Sequence, residues 1–211
     1  LTEFCHITPT EYLDWFAVNR SHHLTLAHLV EEDPRYRQWY ADLDQDRCVN
    51  IMDNSAFEMY KQNRPMYPSG KLVEMGLAVK ADYIVMSDYP GEHSSKTINK
   101  AKEMAPELRD AGFGTFFVPQ SEVGDLEDLI SAVQWAARSD DVDYIGISIL
   151  AVPNAYGVER GNNLQRFLSR WKFFHELDRR GTLKVLKDNG KKIHNLGMVD
   201  GPNEIILLKD Y

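Results

Sequence analysis

A chain of 211 residues, 43% hydrophobic and 27% charged, can form one large or two small globular domains and needs no metal or disulfide staple to hold a core. The net charge of −8 argues weakly against nucleic acid, but residues 159–192 hold ten Lys/Arg against four Asp/Glu, a local +6 that leaves −14 elsewhere. Two distant cysteines, Cys5 and Cys48, exclude a Cys-rich zinc site and point to a reducing compartment, and no apolar run approaches the roughly 20 residues that span a bilayer.

The start, LTEFCHITPTEY, has no basic region followed by an apolar one, so it does not read as a signal peptide. It also has no initiator Met, so residues are expected before Leu1. Residues 4–7 form a short apolar piece, and Thr8-Pro9 opens a helix whose Tyr12, Leu13, Trp15, Phe16 and Val18 make a wide apolar side. Residues 24–30, LTLAHLV, read as a strand. Asp33-Pro34 opens a further helix with Tyr36, Trp39 and Tyr40 on one side. A buried strand follows at 49–52 and stops at Asp53.

Residues 60–70, with Pro65, Pro68 and Gly70, read as an irregular loop before a helix, LVEMGLAVKA. The strand at 82–86 ends in Ser87-Asp88, and a helix at 94–111 closes at Gly112. The strand at 115–118 ends in Pro119-Gln120, a helix covers 125–138 and a strand covers 144–149. A loop at 151–163 leads to a long amphipathic helix at 164–180 and a shorter one at 182–188. The strand at 193–196 and a helix from Pro202 end the chain.

Strand and helix alternate about every 25 to 45 residues, the pattern of parallel βα units. The predicted fold is therefore α/β, a single TIM-like (β/α)8 barrel over residues 1–211 with its eighth strand missing at the C-terminus. Either residues follow Tyr211 or the barrel closes differently. An open doubly wound sheet is the second choice, lowered by the lack of a glycine-rich fingerprint after any strand.

In a βα barrel the residues just past each strand converge on one mouth. Here they are His6, His28, Asp53, Asp88, Gln120, Ser148 and His194. Asp53 suits general acid/base work, with a turn cap through Asn54-Ser55 as the bland alternative. Asp88 precedes the turn Tyr89-Pro90-Gly91, where its carboxylate could simply close an Asx-turn. The Gln120 amide can both donate to and accept from a planar heterocycle, or brace a loop. His28 and His194 fall inside the predicted strands, where core packing is the commoner role. The adjacent His22-His23 reads as surface, and Glu58 as a favourable charge at a helix start.

These pieces, in this order, resemble the tRNA-guanine transglycosylase superfamily and its phage and bacterial relatives that insert 7-deazaguanines into DNA. The DSGGFQ-type strand end is similar to Asp53-Asn54-Ser55-Ala56-Phe57-Glu58, and the FDE-type acid to Ser87-Asp88-Tyr89. The VQGG segment is similar to Val118-Pro119-Gln120-Ser121, and the glycine-bearing strand to Tyr144-Ile145-Gly146-Ile147. The LMGVG and TPED segments are similar to Asn195-Leu196-Gly197-Met198 and Gly201-Pro202-Asn203-Glu204.

The resemblance implies base exchange. Asp53 would handle protons on the exchanged purine or 7-deazaguanine. Asp88 and Gln120 would read its edge, with Ser55, Gly146, His194 and Gly197 around it. The family nucleophile would lie just past Tyr211. Double glycines are replaced by Ser55-Ala56 and Ser121-Glu122, and the cysteine-rich zinc segment of the tRNA enzymes is absent, which favours DNA over tRNA. Arg160, Arg166, Arg170 and Lys172 would meet phosphates. No metal or cofactor is expected; the setting would be the cytoplasm of a bacterium or phage-infected host, and a homodimer is among the expected partners. The competing readings are a metal-dependent barrel hydrolase using His6, His28, Asp53, Asp88 and His194, and a catalytically silent barrel that binds a partner.

Overall fold

The strands follow from short β-branched and apolar runs, and the helices from caps and apolar spacing. In the computed structural model, which describes residues 3–44, 48–198 and 200–211, the strands are β1 (Cys5–His6), β2 (His22–Leu26), β3 (Val49–Asp53), β4 (Tyr83–Val85), β5 (Gly114–Phe117), β6 (Tyr144–Ser148) and β7 (Lys192–Leu196). The fold is α/β of the TIM-barrel type, with seven of the eight strands of such a barrel among the described residues. The chain groups into two units, Leu1–Ser87 with Met104–Thr115, and Asp88–Glu103 with Phe116–Tyr211.

In the first unit neighbouring strands run parallel in chain order. The register sets Leu26 beside Asp53 and Met52 beside Ile84, so the strand ends lie together. Leu24, Ile51, Met52 and Ile84 are buried on this sheet. Helix α1 (Ala27–Glu32) follows β2 directly, and α2 (Pro34–Ala41) follows α1. Asp33 caps α2, accepting from the N–H groups of Arg35 and Tyr36, with Pro34 in the first turn. Helices α3 (Ala56–Lys61) and α4 (Ser69–Ala78) flank the irregular stretch predicted around Pro65 and Pro68. Helix α5 (Ser94–Asp110) leads to β5, whose Gly114 N–H donates to the Asp82 carbonyl.

Three expectations change in this unit. The apolar run 24–30 is not one strand, because it leaves the sheet after Leu26. The Leu26 N–H then donates to the Tyr36 hydroxyl, and the His28 N–H donates to the Ser55 hydroxyl. The helix expected after Pro9 is a 3-10 turn, Thr10–Tyr12, followed by a single π-helical turn, Leu13–Ala17. Only Leu13 and Ala17 of that turn are buried, and Trp15 is 78% exposed. His23 is not at the surface; it faces inward from β2 and is fully buried.

In the second unit β5, β6 and β7 are again parallel, with Gly146 beside His194 and Ser148 beside Leu196. Helix α6 (Leu126–Arg138) buries Leu129, Val133 and Ala136 at helical spacing and is capped by Asp125. The loop expected at 151–163 contains a short helix, α7 (Ala151–Ala155), started by the Ser148 hydroxyl, which accepts from the Leu150 and Ala151 N–H groups. Helix α8 (Asn163–Arg179) packs Phe173, Phe174 and Leu177 inward. It is followed by α9 (Thr182–Asp188) and, after β7, α10 (Gly201–Leu208). Among the described residues no helix is long and apolar enough to cross a membrane.

Candidate active site

The first unit supplies the strand end that begins with Asp53. Its Oδ1 accepts from the Ser55 N–H at 2.6 Å, and Asn54 Oδ1 accepts from the Ala56 N–H at 2.8 Å. Two overlapping Asx-turns thus end β3 and start α3. Asn54 Nδ2 also donates to the Met86 carbonyl at 2.7 Å, tying this turn to the end of β4. The turn interaction foreseen for Asp53 is therefore present, on one oxygen of a half-buried carboxylate.

Ser55 has φ +57 and ψ +32, the left-handed region. That conformation costs a residue with a side chain about 1–2 kcal/mol and is nearly free for glycine. Ser55 thus occupies a backbone shape that favours glycine while presenting a hydroxyl. The hydroxyl is fully buried and meets His28 twice, accepting from its N–H at 3.1 Å and lying 2.9 Å from its ring Nδ1. His28 itself sits in the first turn of α1, two residues past the end of β2, rather than inside a strand.

In the second unit Asp88 and Gln120 come together. They are 5% and 4% exposed, and Gln120 Nε2 donates to Asp88 Oδ2 at 2.5 Å. The Asp88 carboxylate is engaged by a residue 32 positions later, and the turn that follows it is closed by the Glu92 N–H donating to the Tyr89 carbonyl. Ser121, also buried, donates to the Glu122 carbonyl. An adjoining carboxylate and amide offer acceptors and a donor side by side, which suits the edge of a heterocycle.

The other expected residues separate. Gly146 is needed for packing: a Cβ there would stand 2.5 Å from Phe116 Cε1 and 2.7 Å from Leu196 Cδ1. On the side where a Cβ would project, the space is taken by those two side chains. His194 is half-buried on β7 with its ring edge-on to Phe116 at 5.6 Å. Gly197, at φ +66, turns the chain after β7.

Arg170 requires the largest correction. It is not a phosphate contact, because its side chain is fully buried inside the protein. Its Nε lies 3.0 Å from Glu204 Oε1, and its Nη2 donates to the carbonyls of Leu196 and Gly197 at 3.2 and 2.8 Å. Burial pushes the guanidinium down to about 10, with Glu204 pulling the other way. Sequence reasoning counted Arg170 with the basic face; its spacing from Phe173, Phe174 and Leu177 on α8 was the signal that it points inward. Arg160 and Lys172 are exposed and Arg166 is half-buried. Arg179 and Arg180 pair with Glu176, and Arg180 also pairs with Glu127, so part of the local positive charge is answered within the fold.

Among the described residues no three His, Cys, Asp or Glu side chains group to hold a metal ion. No family model matches the chain, and no curated protein matches it. Among solved structures the chain is similar to dihydrodipicolinate synthase from Bacillus clausii, at 14% identity and a TM-score of 0.43, over 90% of this chain and 61% of that one. The chain thus spans about three fifths of the length of that synthase chain. It is also similar to a D-tagatose 3-epimerase-like protein, at 14% identity and a TM-score of 0.47, over 100% of this chain and 97% of that one.

Proposed function

We propose that the protein is a nucleobase-exchanging transglycosylase that replaces guanine with a 7-deazaguanine in nucleic acid, DNA more than tRNA. The observation that carries this reading is the buried hydrogen bond between Asp88 and Gln120. A guanine edge presents N–H donors beside a carbonyl oxygen. A carboxylate accepts from the first and an amide donates to the second, and burial makes a base that lacks either partner costly to admit.

In the first unit, taken by itself, Asp53 ends β3 as a half-buried carboxylate, a group able to take or give a proton in glycosidic-bond cleavage. Breaking the glycosidic bond builds positive charge on the sugar and negative charge on the base, and both need fixed partners. A purine in a duplex must leave the stack to reach such groups. The exposed Arg160 and Lys172 are available to the phosphates of the strand that carries it.

The test is incorporation of labelled 7-deazaguanine by the full-length protein into duplex DNA and into tRNA, measured side by side. Label is expected in DNA above tRNA. Asp88→Asn, which keeps an acceptor for Gln120, should lower incorporation about 100-fold, the order seen when one charge-stabilising partner is lost. Incorporation into neither polymer overturns the reading.

A further inference from the structure

The Ser55–His28 contact is more specific than a turn requires. A buried serine hydroxyl in a left-handed residue holds both the main-chain N–H and the ring Nδ1 of one histidine. The hydroxyl oxygen accepts from the His28 N–H, and the Nδ1 contact at 2.9 Å is made either by the hydroxyl hydrogen donating to the ring or by an Nδ1–H donating to the oxygen. The first of these leaves the ring proton on Nε2 and is the tautomer assigned below. His28 is half-buried, and among the described residues no protein group takes up Nε2. The same Ser55 donates its N–H to Asp53, so one residue braces both side chains at neighbouring strand ends, where Leu26 of β2 pairs with Asp53 of β3.

We infer that His28 is a further catalytic residue of the Asp53 site, one that donates a hydrogen bond from Nε2–H to the reacting base. This rests on the base-exchange reading above. Ser55 is the positioning residue: it fixes the ring tautomer and orientation and makes no contact with the base. The donor opposes the negative charge that gathers on the leaving heterocycle, and because it is held before the reaction it costs no reorganisation. The backbone strain at Ser55 has a use here. A glycine would relieve the strain and lose the hydroxyl that aims the ring.

Three variants and one spectroscopic measurement test this on the full-length protein. His28→Ala should lower base exchange about 100-fold. His28→Gln, whose side-chain amide places a donor near the Nε2 position, should recover activity to within about 10-fold of the starting protein. A role in folding alone would not be rescued in that way. In ring-nitrogen NMR the unaltered protein should show His28 protonated on Nε2 with Nδ1 as acceptor. Ser55→Ala should abolish that tautomer preference, and free 7-deazaguanine should shift the Nε2 signal. His28→Ala exchanging at the original rate, or an Nε2 signal unmoved by the free base, overturns the inference. If the unaltered protein exchanges no base at all, the transglycosylase reading fails by itself, and the NMR titration still decides whether His28 contacts the heterocycle.

Discussion

The two units bury ionisable side chains in opposite ways. In the second unit the fully buried Arg170 keeps its charge and is answered by Glu204 and by two carbonyls. In the first unit His23, equally buried, has no carboxylate partner among the described residues, and the Arg20 main chain is the group that favours its charged form. It rests edge-on against Trp39 and Tyr40, with ring centroids 6.1 and 5.7 Å away. An arginine cannot shed its proton, so its burial demands partners. A histidine can shed its proton and sit among aromatic rings as a neutral, largely apolar group. The partnered charge locks the chain after β7, whereas the ring, with no carboxylate to answer its charge, makes its unit sensitive to acid.

The largest expected effect breaks the partnered case. Glu204→Ala leaves a buried guanidinium unanswered and should cost about 3–5 kcal/mol in urea unfolding. Replacing both members together, Arg170→Met with Glu204→Leu, should recover most of that loss, since two apolar groups need no partner. A double variant as unstable as the single one would show that the contacts to the Leu196 and Gly197 carbonyls carry the stability instead.

A middle-sized effect tests whether Gly146 serves packing. Gly146→Ala forces its methyl group into Phe116 and Leu196 and should cost about 1–3 kcal/mol. A neutral outcome in thermal unfolding would show that Phe116 and Leu196 can give way to a methyl group.

The smallest effect is the acid sensitivity of His23. Burial holds its imidazole below the ordinary value of 6.5; the Arg20 main chain opposes this, and His6 and His22 add to it. The unfolded chain therefore binds a proton that the folded one refuses. Stability from this group is full above about pH 6.5 and is lost as the pH falls below it, by at most roughly 1.4 kcal/mol per pH unit for one proton. Unfolding curves at pH 7 and pH 5 should show the loss, and His23→Phe should flatten it. An unchanged slope in that variant would assign the acid sensitivity to another group.

Most of the βα alternation was readable in advance, because each strand core is a short apolar run bounded by turn residues. The Asp33-Pro34 start of α2 was equally plain, since a cap and a first-turn proline act within four residues. Misreadings came where a local pattern fits two structures. LTLAHLV has strand propensity throughout, yet it splits after Leu26 because Tyr36 and Ser55, distant in sequence, take the next N–H groups. Arg170 looked like one more charge on a basic face until Glu204, 34 residues on, proved to be its partner. His28 reads as a strand histidine only if β2 runs on past Leu26, whereas it lies in the first turn of α1.

Taken alone, the sequence determined the α/β class, most element positions and the carboxylates at or just past two strand ends, Asp53 and Asp88, since these depend on local periodicity and turn chemistry. Tertiary structure decided which polar groups meet: Asp88 with Gln120, Ser55 with His28, and Arg170 with Glu204. Each of those pairs is separated by 27 to 34 residues, and what joins them is strand register and helix packing, to which no short stretch of sequence is sensitive.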